Sequence, residues 1–360
     1  MSKFLRKGLR NLEAYTPGEQ PRDKKYIKLN TNESPYPPGP KVLAAITEEK
    51  LKELRLYSDP TQLALRKKLA ETYSGEGLTL NENNVFCSNG SDDIINFAFS
   101  AFVGGEGRVI YPEISYGFYS VFSSFYGSDN RELPMKENLK VDVEGFLEKG
   151  YSLKILANPN APTGEAFSLE TMERIASSDP EAVVLIDEAY VDFGGESALP
   201  LVAKYPNLLV SRTYSKSSSL AGARLGFAFG QQELIQDLEL IKYSTNPYSI
   251  NRMTEAVGLA VLDEMEYYRD NANKIIETRE KVKEELVEMG MEVLPSKTNF
   301  LFVRTTPFMA GEEVYKALKG EGILVRWFKK ESIKDYLRIT IGTPEEMKAL
   351  LTAMKKILNM

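Results

Sequence analysis

The chain has 360 residues, of which 42% are hydrophobic and 27% charged, and this composition can supply a large globular core. Its formal net charge of −6 argues against a nucleic-acid-binding or polybasic membrane-binding surface. The chain contains no histidine and a single cysteine, Cys87, which excludes histidine-based triads, disulfide frameworks and most zinc sites. Acid–base chemistry is therefore left to lysine, tyrosine and carboxylates, and we expect no metal site.

The N-terminus carries basic residues, but no apolar stretch of the kind a signal peptide needs follows them. The most apolar stretch, residues 94–103, is too short to span a bilayer. Together with the lone cysteine, these features predict a cytoplasmic protein that acts on small molecules.

Residues 1–40 are predicted to form an irregular N-terminal arm, because 28–40 holds too many prolines for a regular helix or strand. Such a segment is often a solvated linker. This one, however, groups hydrogen-bonding side chains such as Asn32, Glu33 and Tyr36, which a linker would not need. Both interpretations remain open at this point.

Residues 41–246 are predicted to form a large α/β domain that begins with a helix at about 41–54. From 80 to 230, short apolar runs alternate with helical segments. This alternation indicates a mostly parallel sheet of the seven-stranded type, flanked by helices. Residues 247–360 are predicted to form a smaller α+β domain, which includes a strand at 322–326.

Two apolar runs of the large domain lead to residues that carry chemistry. Residues 183–186 lead into Asp187, and 207–210 lead towards Lys216. The carboxyl ends of parallel strands meet at one edge of a sheet, where ligands bind. An acid and an amine at this edge can serve a pyridine cofactor: Asp187 would keep the ring nitrogen protonated, and Lys216 would form the Schiff base and later move a proton. Tyr190 could donate a hydrogen bond to the phenolic oxygen of the ring.

A predicted strand, a small polar turn and an apolar helix that opens at Ser91 or Asp92 form a candidate phosphate site. Backbone N–H groups at a helix start can bind an anion, although any capped helix after a strand has this pattern. A cofactor phosphate could rest there, with hydroxyls from Thr213 or Ser215 and positive charge from Arg224. Arg224 could instead be an ordinary surface salt-bridge partner.

Two further residues could contact the ring or the substrate. Tyr116 lies in a loop after a strand and could stack on a planar ring, whereas its neighbour Phe118 is expected to pack in the core. Arg338 lies between two apolar residues of a short predicted strand and could hold a substrate carboxylate through two hydrogen bonds. The alternative for Arg338 is an edge-strand charge.

The spacing of the central motifs resembles that of fold-type I pyridoxal-phosphate aminotransferases, and the terminal motifs narrow the resemblance to the histidinol-phosphate aminotransferase family. The segments that carry it are Asp187-Glu188-Ala189-Tyr190, Ser215-Lys216, Arg224, Tyr15-Thr16-Pro17-Gly18, residues 29–33, Val325-Arg326 and residues 336–343. The resemblance extends from about residue 8 to the C-terminus.

This resemblance implies a homodimer with active sites at the subunit interface and pyridoxal 5'-phosphate bound to Lys216. It implies reversible amino transfer between L-histidinol phosphate and 2-oxoglutarate, a step of histidine biosynthesis. The tyrosine that matches Tyr57 would reach the cofactor phosphate of the other subunit, and Tyr116 would stack on the ring.

The resemblance also assigns substrate contacts. Arg326 and Tyr15 would bind the substrate's phosphate and Arg338 its α-carboxylate, and Asn32 is a further candidate for a substrate contact. A related pyridoxal enzyme, either an aromatic aminotransferase or a decarboxylase of a phosphorylated amino acid, would share the central residues. A non-catalytic binding protein on the same fold is a third possibility. Arg326 and Tyr15 favour a phosphate over a bare aromatic ring.

One position departs from the family's pattern. The family commonly has an asparagine directly before the Pro-Thr-Gly turn, where it bonds the phenolic oxygen of the cofactor, and here this position is Ala161. Asn160 or Asn158 could supply the contact, or Tyr190 could make it alone, and we expect cofactor binding to be retained. The loop Trp327-Phe328 has no role in the predicted chemistry.

Overall fold

The computed structural model describes residues 2–75 and 77–359. The α-helices in this part of the chain are α1 (Pro40–Ala44), α2 (Glu48–Lys52), α3 (Leu63–Tyr73), α4 (Ser91–Ala98), α5 (Phe118–Tyr126), α6 (Leu169–Ser178), α7 (Gln232–Thr245), α8 (Arg252–Leu262), α9 (Met265–Glu288), α10 (Gly311–Gly320) and α11 (Pro344–Leu358). The β-strands are β1 (Ile27–Lys28), β2 (Val85–Ser88), β3 (Arg108–Pro112), β4 (Asp129–Leu133), β5 (Leu153–Ala157), β6 (Val183–Asp187), β7 (Leu208–Thr213), β8 (Gly226–Phe229), β9 (Glu292–Val293), β10 (Phe300–Arg304), β11 (Ile323–Leu324), β12 (Arg326–Trp327) and β13 (Tyr336–Thr340).

The large sheet has seven strands in the order β2-β8-β7-β6-β5-β3-β4. Strand β8 runs antiparallel to both of its neighbours, and the other pairs are parallel, which confirms the predicted mostly parallel sheet. Side chains alternate between its two faces. Val85 and Cys87 pack on the face covered by α3, α6 and α8, whereas Phe86 packs on the face covered by α4, α5 and α7.

The smaller C-terminal domain has an antiparallel sheet in the order β12-β13-β10-β9, with α9, α10 and α11 around it. This arrangement confirms the predicted α/β fold with a smaller α+β domain. Helix α9 joins the two cores, because Tyr268 packs in the core of the large domain and Ile275 and Val282 pack in the second core. The domain boundaries at residues 40 and 246 stay a prediction.

Three local features differ from the sequence prediction. The arm is not wholly irregular, since β1 pairs in parallel with β11. The strand predicted at 322–326 is divided at Val325, because β11 pairs with the arm and β12 pairs with β13. The helix predicted at 41–54 is also divided: the Thr47 side chain caps α2 by accepting a hydrogen bond from the backbone N–H of Lys50 at 3.3 Å.

The carboxyl ends of β5, β6 and β7 lie side by side, with Asp187 paired to Ala157 on one side and to Ser211 on the other. Gly226, the first residue of β8, pairs with Thr213 and Ser88 in the same region. The turns that follow these strands therefore open at one edge of the sheet. In the described ranges, no helix has the length and apolarity needed to cross a membrane.

Candidate active site

Asp187 is buried at the end of β6, where three neutral groups donate to its carboxylate. The hydroxyl of Tyr119 donates to Oδ2 at 2.8 Å, and the backbone N–H of Ala189 and the hydroxyl of Ser211 donate to Oδ1 at 3.3 and 3.4 Å. Burial raises the pKa of the Asp187 carboxyl above its ordinary value, and these hydrogen bonds oppose the rise. Tyr119 was not predicted as a site residue, because an aromatic residue near the start of α5 has the pattern of a core residue.

Lys216 and Tyr190 lie together beside Asp187's strand end. The Nζ atom of Lys216 is 5.6 Å from the centre of the Tyr190 ring. The side-chain amide of Asn32 donates to the Tyr190 hydroxyl oxygen at 2.8 Å, so the hydroxyl proton of Tyr190 is left to bond another group. Asn32 is buried, and its amide oxygen accepts from the Thr340 hydroxyl at 2.9 Å. The arm is therefore part of the site and not a solvated linker.

The residues of the predicted phosphate site lie together at the start of α4. Arg224 pairs with Asp92 at 3.0 Å, and the Tyr116 hydroxyl donates to the other oxygen of Asp92 at 2.8 Å. Burial and the Asp92 charge raise the pKa of Tyr116. The Thr213 hydroxyl donates to the Ser215 hydroxyl at 3.0 Å, and the Arg224 guanidinium is 3.5 Å from the latter.

Two glycines permit this close packing. A Cβ atom on Gly90 would lie 2.5 Å from the Arg224 guanidinium, and Gly90 has a φ of 87°. A Cβ atom on Gly226 would lie 2.4 Å from the backbone nitrogen of Ser91. Neither requirement could be read from the sequence, because each depends on how β8 and α4 pack in the fold.

These elements enclose a cavity of about 100 Å³. The residues that line it are Ser91, Asp92, Tyr116, Ala157, Ala161, Asp187, Ala189, Tyr190, Thr213, Ser215, Lys216 and Arg224. The lining fits pyridoxal phosphate: an amine and a buried carboxylate without a cationic partner flank the space for a ring, and a guanidinium and a helix N-terminus flank the space for a phosphate.

A second cavity of about 500 Å³ adjoins the first, and Tyr116, Ala161, Tyr190 and Lys216 border both. Its wall contains Arg338, whose Nη2 donates to the Asn30 carbonyl at 2.9 Å. The buried Nε atom of Arg338 has no hydrogen-bond partner among the described residues. Burial lowers the pKa of the Arg338 guanidinium, because charge is costly in an apolar environment.

Arg326 and Tyr15 lie in the wall of the same cavity. Arg326 donates to the carbonyls of Thr16 at 2.8 Å and Pro17 at 3.1 Å, and so ties the arm to the C-terminal domain. The Tyr15 ring stacks on Phe118, which is only half-buried, with 4.4 Å between the ring centres. Phe118 thus supports the cavity wall and is not the core residue that was expected.

The Trp327-Phe328 loop, for which the sequence suggested no role, borders the two arginines. The Phe328 ring lies 5.5 Å from the Arg326 guanidinium and 5.7 Å from that of Arg338. The Phe300 ring lies 5.4 Å from the Arg338 guanidinium. The indole N–H of Trp327 donates to the Lys334 carbonyl at 2.8 Å and fixes the loop.

Three predicted candidates do not reach either cavity. Asn160 is buried, its oxygen accepts from Ser115, and its amide donates to Ile114 and Thr163. Asn158 bonds the backbone of Phe167 and Glu196. Neither side chain is therefore placed to replace the asparagine absent at Ala161. Tyr57 is 77% exposed and stacks on Tyr248, with ring centres 4.5 Å apart.

A model of the aminotransferase class I and II family matches residues 24–354. The chain belongs to this family. The aminotransferase is 47% identical to a histidinol-phosphate aminotransferase from Brachyspira hyodysenteriae, and the match covers 100% of both chains. It is 45% identical to a histidinol-phosphate aminotransferase from Syntrophus aciditrophicus, with 98% of each chain covered. These relatives confirm the predicted resemblance and the prediction of an enzyme.

Solved structures share the fold of this aminotransferase. The histidinol-phosphate aminotransferase from Sinorhizobium meliloti in complex with pyridoxal-5'-phosphate matches with a TM-score of 0.84 and 24% identity, and 93% of this chain and 92% of that chain are covered. An aminotransferase from Staphylococcus aureus matches with a TM-score of 0.86 and 17% identity, and 99% of each chain is covered.

Proposed function

We propose that this aminotransferase reversibly transfers an amino group between L-histidinol phosphate and 2-oxoglutarate, a step of histidine biosynthesis, and that pyridoxal 5'-phosphate is bound to Lys216. The observation that carries the proposal is the position of Lys216, which borders both the small cavity with Asp187 and the large cavity with the two arginines. The names of the relatives over the full chain support the substrate.

Pyridoxal phosphate, when bound, supplies a covalent link for the amino group and a sink for the electrons released at the substrate Cα. Asp187 would place a negative charge at the ring nitrogen, and Tyr119 holds that carboxylate in place. Tyr190 would donate its hydroxyl proton to the phenolic oxygen, because the Tyr190 oxygen already accepts a hydrogen bond from Asn32. The free amine of Lys216 would accept the proton from the substrate Cα and return it to the cofactor carbon.

The first turn of α4 would hold the cofactor phosphate, with Arg224 as the counter-charge and Ser91, Thr213 and Ser215 as neutral donors. Asp92 already pairs with Arg224 and with Tyr116, so it orients these two side chains. Tyr116 borders both cavities and covers one face of the ring.

The substrates are anions, and Arg338 and Arg326 are the cations of the large cavity that recognise them. The unpaired Nε of Arg338 and its adjacent Nη atoms can bind a carboxylate or a phosphate through two parallel hydrogen bonds. Arg326 adds a second charge, which favours a phosphate ester, and Tyr15 adds a hydroxyl. The rings of Phe300 and Phe328 keep water from the faces of Arg338.

The functional unit is a homodimer, as an exposed apolar surface on one side of the large domain suggests. Its members are Leu43, Ile46, Leu51, Leu54, Leu56, Tyr57, Tyr243 and Tyr248. The two parts of this surface are joined, because the Arg252 side chain donates to the carbonyls at 56 and 57 and Tyr243 donates to the carbonyl at 60. A monomer rarely exposes so many apolar side chains together. A second copy would cover them, and Tyr57 would contact the cofactor phosphate of its partner.

The enzyme works in the cytoplasm, where small metabolites are interconverted. Its single cysteine, Cys87, is buried and unpaired, as is usual for proteins of a reducing compartment. Burial raises the pKa of the Cys87 thiol to about 12, which keeps it protonated and unreactive.

The proposal is tested in two steps. Reduction of the holoenzyme with borohydride, followed by peptide mass spectrometry, should locate the cofactor on Lys216. Arg326→Ala should then lower kcat/KM for histidinol phosphate by roughly 10- to 100-fold, the usual effect of losing one charge-assisted hydrogen bond, and leave kcat/KM for phenylalanine nearly unchanged. Equal losses on both donors would contradict a phosphate site and favour an aromatic amino-acid aminotransferase.

A further inference from the structure

A network of charged side chains lies on the side of β7 that faces away from the cofactor cavity. Arg212 projects to this side, since its neighbours Ser211 and Thr213 face the cavity. The Arg212 Nε atom donates to Glu188 at 3.0 Å, and Nη1 lies 3.6 Å from Asp192. Burial raises the pKa of Glu188, and the Arg212 charge opposes this rise.

Each acidic member of this network adjoins a residue of the active site. Glu188 follows Asp187 in the chain, and Asp192 is two residues beyond Tyr190. The carboxylate of Asp192 accepts a hydrogen bond from the hydroxyl of Ser217, the residue after Lys216. One carboxylate thus connects the turn that carries Tyr190 to the turn that carries the lysine.

The backbone of the turn that carries Lys216 makes hydrogen bonds of its own. The N–H of Leu220 donates to the Tyr214 carbonyl at 2.9 Å, and the N–H of Ser219 donates to the Lys216 carbonyl at 3.3 Å. Ser219 has a φ of 57°, in the left-handed region, and its buried hydroxyl has no partner among the described residues.

Behind the turn lies a cavity of about 200 Å³, bordered by Ser217, Ser218 and Tyr214. The buried hydroxyl of Tyr214 has no partner in the described structure. Tyr214 and Leu220 pack in the core of the large domain, but the cavity leaves the side of the turn at Ser217 and Ser218 less tightly filled. The hydrogen bond between Ser217 and Asp192 adds a restraint on this side.

We propose that Asp192 is a positioning residue that fixes the backbone at Lys216 through Ser217. The lysine side chain then extends from one fixed backbone position. Lys216 has four rotatable side-chain bonds and must alternate between the cofactor and the substrate Cα, so its reach depends on where its backbone is held. Arg212 contacts the Asp192 carboxylate from the side of β7 and so helps to direct it at the turn. This inference rests on the proposed role of Lys216.

The test compares two adjacent buried serines, of which only Ser217 bonds Asp192. Ser217→Ala should lower kcat about 10-fold, as misplacement of a catalytic group does, and change KM for 2-oxoglutarate less than about 2-fold. The pH midpoint of the visible absorption of the lysine-bound cofactor should also move. Ser218→Ala should leave kcat and the midpoint at their wild-type values. Asp192→Ala should behave as Ser217→Ala does, whereas Asp192→Asn, which retains an acceptor oxygen, should restore most of kcat.

The outcomes separate this inference from the proposed function. Borohydride labelling of a residue other than Lys216 would overturn both. Labelling of Lys216 together with indistinguishable kcat and absorption midpoints in Ser217→Ala and Ser218→Ala would overturn the positioning role alone. Thermal unfolding of each holoenzyme variant identifies loss of fold, and if Asp192→Ala does not fold, the serine pair still decides.

Discussion

Among the described residues, no lysine or arginine pairs with the carboxylate of Asp187. This carboxylate is buried, and its donors are a hydroxyl of Tyr119, a hydroxyl of Ser211 and one backbone N–H group. A protonated ring nitrogen would supply the missing positive charge. Above the raised pKa of Asp187, the cofactor-free protein holds a destabilising charge that the cofactor would compensate, which couples cofactor binding to stability.

Asp187→Asn should therefore stabilise the cofactor-free protein while it abolishes most activity. Burial raises the pKa of Asp187 above its ordinary value of 3.8, so the folded state binds this proton more tightly than the unfolded state. The stability of the wild type then falls as pH rises through the raised pKa, and the amide has no such loss. We expect a melting temperature about 2–4 °C above wild type at about pH 8 and a smaller difference at about pH 5.

The measurement is thermal unfolding of the cofactor-free proteins by circular dichroism at several pH values. Asp129→Asn, at an exposed carboxylate, serves as the control and should follow the wild type at every pH. A difference in melting temperature between Asp187→Asn and wild type that stays constant across the pH range would show that titration of Asp187 does not cause it.

Tyr190→Phe should raise the pH midpoint of the visible absorption of the lysine-bound cofactor. The Tyr190 hydroxyl stabilises a negative phenolic oxygen on the ring, and without it the neighbouring nitrogen holds its proton to higher pH. We expect kcat to fall about 10-fold, the effect of one lost hydrogen bond to a charged group. The control is Tyr26→Phe, since Tyr26 bonds Asp23 on the surface. An unmoved absorption midpoint would exclude Tyr190 as the partner of the phenolic oxygen.

The candidate site residues that could be predicted from the sequence are those that lie at or just after the end of a strand. Asp187 ends β6 and Lys216 follows β7, and both meet in one cavity because parallel strands end at one edge. Tyr119 and the pairing of Asn32 with Tyr190 could not be predicted, because they depend on contacts across 68 and 158 positions of the chain. Such contacts become visible only when the fold brings separate elements together.

At the scale of elements, the close fit between β8 and the start of α4 shapes the proposed phosphate site. Gly226→Ala would place a methyl group 2.4 Å from the backbone of Gly90 and Ser91, so the first turn of α4 has to move. We expect the Kd for pyridoxal phosphate to rise at least about 10-fold, measured by absorbance titration of the cofactor-free protein. Gly222→Ala, which meets no atom within 4 Å, is the matched control and should bind normally. Equal affinities for the two variants would show that α4 does not hold the phosphate.

Short elements limited the prediction more than long ones. The mostly parallel sheet matches its prediction, because the alternation of apolar runs and helical segments extends from 80 to 230. The strands β1, β11 and β12 have two residues each and are defined by their pairing with other strands. No periodicity can be read from two residues, so the sequence could not predict them. The division of 322–326 between two sheets follows from this dependence.

At the scale of the molecule, the large cavity takes its walls from three parts of the chain. Tyr15 and Asn32 come from the arm, Tyr190 from the large domain, and Arg326 and Arg338 from the C-terminal domain. In the proposed dimer a fourth part, Tyr57 of a second copy, completes the cofactor site. Each active site would then depend on a residue of the other copy, and this dependence can be measured.

Two impaired variants, one defective at Lys216 and one at Tyr57, should recover aminotransferase activity when they combine in one heterodimer. Lys216→Ala removes the amine, and Tyr57→Ala removes a phosphate contact, so that at limiting cofactor each homodimer is inactive or about 10- to 100-fold weaker. In a heterodimer purified through two different affinity tags, one site receives both defects and the other receives neither. The heterodimer should therefore show about half of the wild-type kcat per dimer at limiting cofactor, as expected for one intact site of two. If Tyr57 instead contacted the cofactor of its own chain, each site of the heterodimer would carry one defect. The activity of the heterodimer would then not exceed that of the Tyr57→Ala homodimer.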